Sequence, residues 1–96
     1  MDIFEFLNRT LLLDLETTRT GRIRHVGAIL NDRILERTQK AGSKAVLEAL
    51  DDLAKDADFV LGHNLLGHDF PVLKAVSPGL EILKKPVIDT LYLSPL

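Results

Sequence analysis

Two carboxylates follow an apolar stretch near the start of the chain, with one residue between them. Positions 11–13 are all leucine, and Asp14, Leu15 and Glu16 come next. Residues i and i+2 of a strand point to the same side, so Asp14 and Glu16 are predicted to share one face of a strand. Neighbouring acids repel each other and are costly to bury unpaired, which favours a bound cation. Hard oxygen ligands suit Mg2+ or Mn2+.

The same stretch has a second interpretation, a strand that simply ends, with its acids in water or capping the next element. An acid-x-acid pattern is weak by itself. The unbroken apolar run is typical of a central strand covered on both faces, because such strands do not alternate. We therefore expect positions 11–15 to lie in the middle of a sheet.

A third acid, Asp69, is predicted to reach the same edge of the sheet. The apolar run at 59–61 predicts a strand that ends at Gly62. Pro71 fits only the first turn of a helix, which places Asp69 near the start of that helix. Asp69 alone would be explained as an N-cap. Three acids at the carboxyl ends of strands, where open α/β sheets have their sites, point instead to a metal centre.

Composition limits the class of protein. The chain has 96 residues, no cysteine and a formal net charge of −2. This length suits one small domain, and the lack of cysteine fits a reducing compartment. No apolar run is long enough to span a bilayer, and the first residues carry acids where a signal peptide carries bases, so a cytoplasmic protein is expected.

The first half of the chain predicts a three-stranded meander. Segment 2–8 is apolar without a clear period, which leaves a helical turn and an edge extension both open. After the first strand and a polar turn, alternating residues at 23–30 predict a second strand. Asn31-Asp32 is a turn signal, so 33–38 is predicted to return as an antiparallel third strand.

The second half predicts helices that cross over between parallel strands. Ser43 is placed as the N-cap of an amphipathic helix, and the helix that starts near Asp69 is expected to turn Val72, Leu73 and Val76 inward. Val87-Ile88 predicts a fifth strand, with Asp89 or Thr90 capping a helix from Leu91. The fold class is therefore α/β, with a mixed sheet that runs from a meander into parallel strands.

Three motifs occur in order along the chain. They are Asp14-Leu15-Glu16-Thr17-Thr18, then Gly62-His63-Asn64 with Asp69 and Leu73, and finally Val87-Ile88-Asp89-Thr90. In this order, over residues 11–91, they resemble the motifs of the DEDD exonucleases, the family of DNA polymerase proofreading subunits. Three ordered motifs together are fairly specific, although each one alone is not.

The resemblance implies a ribonuclease-H-like fold and a metal-dependent 3′–5′ exonuclease domain, part of a larger DNA replication or repair protein. The family holds two Mg2+ or Mn2+ ions on four acids and removes nucleotides from 3′ ends. The implied partner is single-stranded nucleic acid, with DNA expected over RNA. By position, the metal-binding and catalytic acids are Asp14, Glu16 and Asp69. Residues that match the substrate-lining positions are Thr17, Thr18 and Asn64.

The chain departs from the family at three places. The acid of the family's third motif and its general base, a His or Tyr, lie downstream in the family and are absent here. The single domain, 1–96, is therefore expected to be incomplete at its C-terminus and nearly inactive alone. Arg19 stands where the family usually has Gly, and His68 replaces a common aromatic residue. The gap from Asn64 to Asp69 is one residue longer than in the commonest members.

Basic residues after the first strand are candidates for phosphate contacts. We predict this role for Arg19 and Arg22, with a solvated strand face as the equal alternative. Lys84 and Lys85 are interpreted as solvated charges. His63 and His68 are interpreted as hydrogen-bonding loop residues, because imidazole is a poor ligand for Mg2+.

Two other functions stay open at this point. A haloacid-dehalogenase-type phosphohydrolase also has an apolar strand ending in acid-x-acid, but it needs Asp where Glu16 stands, and it does not predict Gly62-His63-Asn64. A non-catalytic nucleic-acid-binding module would explain the missing fourth acid. If the family's later helices are absent, one sheet face stays partly bare, which predicts a homodimer through Val87 and Ile88 or through Leu91 and Leu93.

Overall fold

A computed structural model describes residues 1–93 and shows a five-stranded mixed sheet with helices. The strands run in the spatial order β3-β2-β1-β4-β5. Their bounds are β1 Thr10–Thr17, β2 Ile23–Leu30, β3 Arg33–Arg37, β4 Phe59–Gly62 and β5 Val87–Asp89. The first three strands pair antiparallel, and β4 and β5 continue the sheet in parallel with β1. The predicted meander followed by parallel strands is confirmed, and this sheet is compatible with a ribonuclease-H-like fold.

Three α-helices accompany the sheet. They are α1 Ile3–Asn8, α2 Lys44–Lys55 and α3 Phe70–Val76. A π-helical turn, Leu65–Asp69, precedes α3, and single 3-10 turns cover Glu81–Lys84 and Thr90–Tyr92. Segment 2–8, left open from sequence, is a helix because the Asp2 carboxylate caps it by accepting a hydrogen bond from the Glu5 N–H.

The hydrophobic core lies on one side of the sheet. Buried apolar residues alternate along β1 at Leu11, Leu13 and Leu15, and they alternate in the same way along β2. Together with Val60 of β4, these side chains form one cluster with α2 and α3. The other face of β1 is open, with Leu12 41% exposed. The prediction that β1 is covered on both faces is therefore wrong for the described residues. Although positions 11–13 are all leucine, the side chains of β1 alternate between the core and the surface.

The two longer helices follow the predicted patterns with one exception. Ser43 Oγ accepts a hydrogen bond from the Val46 N–H and caps α2, whose apolar stripe is buried. Pro71 lies in the first turn of α3, and Leu73 is fully buried. Val76, predicted to turn inward, is 46% exposed because α3 ends at this residue and its side chain passes the edge of the core.

Among residues 1–93, every helix is too short or too polar to cross a bilayer.

Candidate functional site at the carboxyl rim of the sheet

Asp14 and Glu16 lie on the open face of β1, as the two-residue spacing predicts. Both residues are exposed, and they alternate with the buried Leu13 and Leu15. Glu16 Oε2 accepts a hydrogen bond from Arg24 Nη2 at 3.2 Å. Both side chains of this pair are more than half exposed, so the ion pair is worth less than about 1 kcal/mol. The Glu16 carboxylate is thus accessible to solvent, and its ion pair with Arg24 is weak.

Asp69 reaches the same rim from the start of α3. Its Oδ2 accepts a hydrogen bond from the backbone N–H of Leu15 at 2.9 Å, although the two residues are 54 positions apart. This bond is possible because β4 pairs with β1 only as far as Leu12, which leaves the N–H of Leu15 without a strand partner on that side. The carboxylate makes no capping bond to α3, so the N-cap interpretation is wrong. The bond places Asp69 beside the backbone that joins Asp14 to Glu16.

The pKa of the Asp69 carboxyl is raised above its usual range. Burial is the main cause, since only 3% of the residue is exposed and a charge there loses its hydration. The hydrogen bonds from His68 and from the Leu15 N–H lower the pKa but do not fully compensate. The negative charge of Asp14 raises the pKa of Asp69 further.

His68 joins Asp69 to the end of β1. Its Nδ1 lies 3.0 Å from Asp69 Oδ1, and its Nε2 lies 3.1 Å from Thr17 Oγ1. An ionised carboxylate can only accept, so Nδ1 carries the proton and donates to Asp69. In the neutral ring Nε2 then accepts from the Thr17 hydroxyl. His68 is a hydrogen-bonding loop residue, as predicted, and the bridge it makes was not visible in the sequence.

The other predicted substrate residues are Thr18, Arg19, Arg22 and Asn64. Thr18 closes the turn after β1, because its Oγ1 accepts from the Arg22 N–H and contacts Thr20 Oγ1. Asn64 has a φ of 59°, and its side chain lies over Gly67, where an added Cβ would come within 2.5 Å of Asn64 Oδ1. Arg19 and Arg22 are exposed and form no ion pair within the described part of the chain.

Asp89 organises the loop that carries Asn64. Its carboxylate accepts hydrogen bonds from three backbone N–H groups, those of Asn64 at 2.7 Å, Leu66 at 3.0 Å and Leu91 at 3.1 Å. Burial opposes the charged form, but the three donors outweigh it and the pKa of Asp89 is lowered. The predicted capping role is confirmed at Leu91, and the same acid also fixes the loop after β4.

The interpretation of Lys84 and Lys85 as solvated charges holds for Lys84, which is exposed, and is wrong for Lys85, which is half-buried. Lys84 pairs with Glu81, and Lys85 donates to the Ala57 carbonyl. Neither side chain is directed to the rim by these contacts.

The open face of the sheet forms a groove beside Asp14 that sequence reasoning did not identify. Its volume is about 460 Å3, and its lining includes Leu12, Ile29 and Leu61. His25 also lines the groove, and its Nε2 is buried without a hydrogen bond, 3.6 Å from Glu36 Oε1. The alternation of β2 was visible in the sequence and a partly bare sheet face was expected, but the groove and its lining were not predicted.

The fit of a divalent cation to this rim is partial. Asp14 and Glu16 supply exposed carboxylate oxygens on one face of a strand, which is the donor chemistry that Mg2+ and Mn2+ require. Both oxygens of Asp69 already accept hydrogen bonds. Within residues 1–93, no three His, Cys, Asp or Glu side chains gather in a group that could hold a metal ion. The three predicted ligands lie along one rim without forming one coordination shell.

Comparison with known proteins gives a likeness of fold. The chain is similar to a solved family B DNA polymerase from the hyperthermophilic archaeon Pyrobaculum calidifontis, with a TM-score of 0.65 and 16% sequence identity. The likeness covers 85% of this chain and 15% of the polymerase, so the chain spans a small part of that protein's length. No protein-family model and no curated protein matches the sequence. At this identity the likeness supports the mixed α/β fold and leaves the activity to chemical argument.

Proposed function

We propose that this chain is a nucleic-acid-processing domain of the 3′–5′ exonuclease type, which removes nucleotides from the 3′ ends of single-stranded DNA. The observation that carries the proposal is the bond from the Leu15 N–H to Asp69, because it brings the acid of the second motif to the strand that bears Asp14 and Glu16. The fold likeness to a DNA polymerase supports the same class of substrate.

Each rim residue has a part in this proposal. Asp14 and Glu16 would hold divalent cations, and Asp69 would complete the ligand set from the start of α3. Two such cations in a hydrolytic site activate water and stabilise the leaving 3′ oxygen of a phosphodiester. Thr17, Thr18 and Asn64 lie beside these acids, where they could contact the terminal nucleotide.

The test is an exonuclease assay on the longest natural form of the protein. Single-stranded DNA labelled at its 5′ end should shorten stepwise in Mg2+ or Mn2+ and stay intact in EDTA. Asp14→Asn should reduce the rate at least 100-fold. Asp32→Asn, which removes an exposed carboxylate in the β2–β3 turn, is the matched control and should leave the rate unchanged.

The same experiment separates the alternatives. A covalent phosphate on Asp14 after incubation with a phosphomonoester would replace the proposal with a haloacid-dehalogenase-type phosphohydrolase. Binding of DNA without shortening in the natural full-length form would favour a non-catalytic binding module. Full activity of Asp14→Asn would contradict the proposed site.

We further propose that the 96-residue chain alone binds Mn2+ weakly and hydrolyses DNA very slowly. Among residues 1–93 the three acids form no single metal-holding group, so they offer fewer ligands than a four-acid site. The general base that the resemblance assigns to the family's third motif is also absent from these 96 residues. Calorimetric titration with Mn2+ measures this directly. Tight binding of two ions per chain would show that a fourth acid is dispensable.

A further inference from the structure

A cationic cleft lies beside the start of β2 and is lined there by Arg22, Ile23 and Arg24. Its volume is about 590 Å3, within the usual range of ligand sites. Three cationic residues, Arg22, Arg24 and Lys40, contribute to its lining, and no acid does. Ile23 and Ala41 supply part of its apolar surface. The concentration of positive charge is notable because the whole chain carries a formal net charge of −2.

Two of the three cations of this cleft differ from many of those elsewhere in the described chain. Arg22 and Lys40 are exposed and make no ion pair with residues 1–93. Many other cations are already neutralised by a nearby carboxylate. Those pairs are Arg9–Asp58, Arg33–Asp56, Lys44–Glu48, Lys55–Asp52 and Lys84–Glu81. The two cleft residues are therefore available to an external anion.

The cleft is continuous with the predicted catalytic rim. Arg24 lines the cleft and at the same time donates to Glu16. Thr18 also lines the cleft, and its neighbour Thr17 contacts the His68 that holds Asp69. A polynucleotide whose reacting bond lies at Asp14 and Glu16 would thus run past Arg24 into the cleft.

We propose that this cleft binds the phosphodiester backbone of the single strand whose 3′ end lies at the rim. The inference rests on the proposed function and extends it to the part of the substrate beyond the reacting bond. Arg22 and Lys40 carry unshared positive charges, Arg24 shares its charge with Glu16 through an exposed ion pair, and no acid lines the cleft, which matches consecutive phosphates. Phosphate contacts of this kind bind the strand without recognising its base sequence. Lys40 has a fixed place in it, because the Ser43 N–H donates to the Lys40 carbonyl at 2.9 Å and closes the turn before α2.

Fluorescence anisotropy with a labelled oligo(dT) in EDTA tests the proposal without hydrolysis. The salt dependence of the association constant counts phosphate contacts, with a slope of about −0.7 per contact for single strands. Three contacts predict a slope of about −2, which is about a 20-fold loss of affinity between 50 and 200 mM NaCl. The double variant Arg22→Gln/Lys40→Gln should bind more weakly, with a slope of about −0.7. Its affinity should therefore fall only about threefold between 50 and 200 mM NaCl.

Arg33→Gln is the control, because it removes a positive charge at the opposite end of β2, where Leu30 pairs with Arg33; it removes one charge and the double variant removes two. The proposal expects this variant to keep the slope of the unmodified chain, and expects all variants to keep the same thermal midpoint. If the chain binds oligo(dT) and the double variant keeps both affinity and slope, the cleft inference fails while the proposed function stands. If the chain binds neither DNA nor RNA oligonucleotides at 50 mM NaCl, the proposed function itself is wrong.

Discussion

Replacing His68 by Ala should destabilise the fold through Asp69. The change removes the hydrogen bond from Nδ1 to the Asp69 carboxylate and the contact between Nε2 and the Thr17 hydroxyl. Asp69 would keep the Leu15 N–H as its partner but would face an empty site on its second oxygen. Since this carboxylate is buried, water cannot fully replace the lost donor.

The size of the effect follows from the two bonds. A hydrogen bond to a charged group is worth about 1.5 to 3 kcal/mol, and one between neutral groups about 0.5 to 1.5. The His68 side chain is 35% exposed, so water competes for it and the lower ends apply. We expect about 2 kcal/mol for His68→Ala and about 0.5 to 1 kcal/mol for Thr17→Val, which loses the second bond alone. His68→Asn, whose amide can replace Nδ1, should resemble Thr17→Val.

Urea denaturation of the unmodified chain and of the three single variants at pH 7 measures these free energies of unfolding. Two kcal/mol in a domain of this size corresponds to about 8 to 16 °C in thermal midpoint. The double variant Thr17→Val/His68→Ala should be no less stable than His68→Ala, because both changes break the same contact. The reasoning is refuted if His68→Ala costs less than about 0.5 kcal/mol, or if the two changes are additive.

Three further outcomes follow from the described structure. Gly62→Ala should lower the free energy of unfolding by about 1 to 3 kcal/mol, because its Cβ would lie 2.5 Å from the Leu13 carbonyl oxygen. Gly79→Ala should be nearly neutral, because its Cβ would meet nothing within 4 Å. Equal urea midpoints for the two variants would contradict this. The lowered pKa of Asp89 means that its charged form adds stability above its unfolded pKa and that this contribution is lost as the pH falls through the folded value. The difference in free energy of unfolding between the unmodified chain and Asp89→Asn should therefore shrink below about pH 3.8. A difference that stays constant from pH 7 to pH 2 would count against the three N–H bonds. The chain should self-associate through the edge strand β5 at tens of micromolar, and sedimentation should show a monomer for Ile88→Lys; a well-folded monomer of the unmodified chain would exclude this dimer.

Much of the fold could be predicted because its elements carry local signals. Ser43 and the apolar stripe of α2 fix that helix, and the Asn31-Asp32 turn fixes the pairing of β2 with β3. The covering of β1 could not be predicted. Leu12 is apolar whether it faces a core or an open groove, so a leucine run does not distinguish one covered face from two.

The positions of the acids at the rim could be predicted from the sequence, but their hydrogen-bond partners could not. The place of Asp69 followed from Pro71, which must lie in a first helical turn. Its bond to the Leu15 N–H left no trace in the sequence, because any residue except proline supplies the same backbone donor. The lining of the cleft by Arg22 and Lys40 depends on a contact between two turns far apart in the chain, which residue types alone do not encode.

The π-helical turn Leu65–Asp69 holds one residue more than an α-helical turn would. In this turn the Phe70 N–H reaches back five residues to the Leu65 carbonyl, one residue further than in an α-helix. An insertion inside α3 would rotate every following side chain by about 100° and take Leu73 out of the core. The wide turn confines the extra length to a loop, so α3 keeps its register and Asp69 still meets β1.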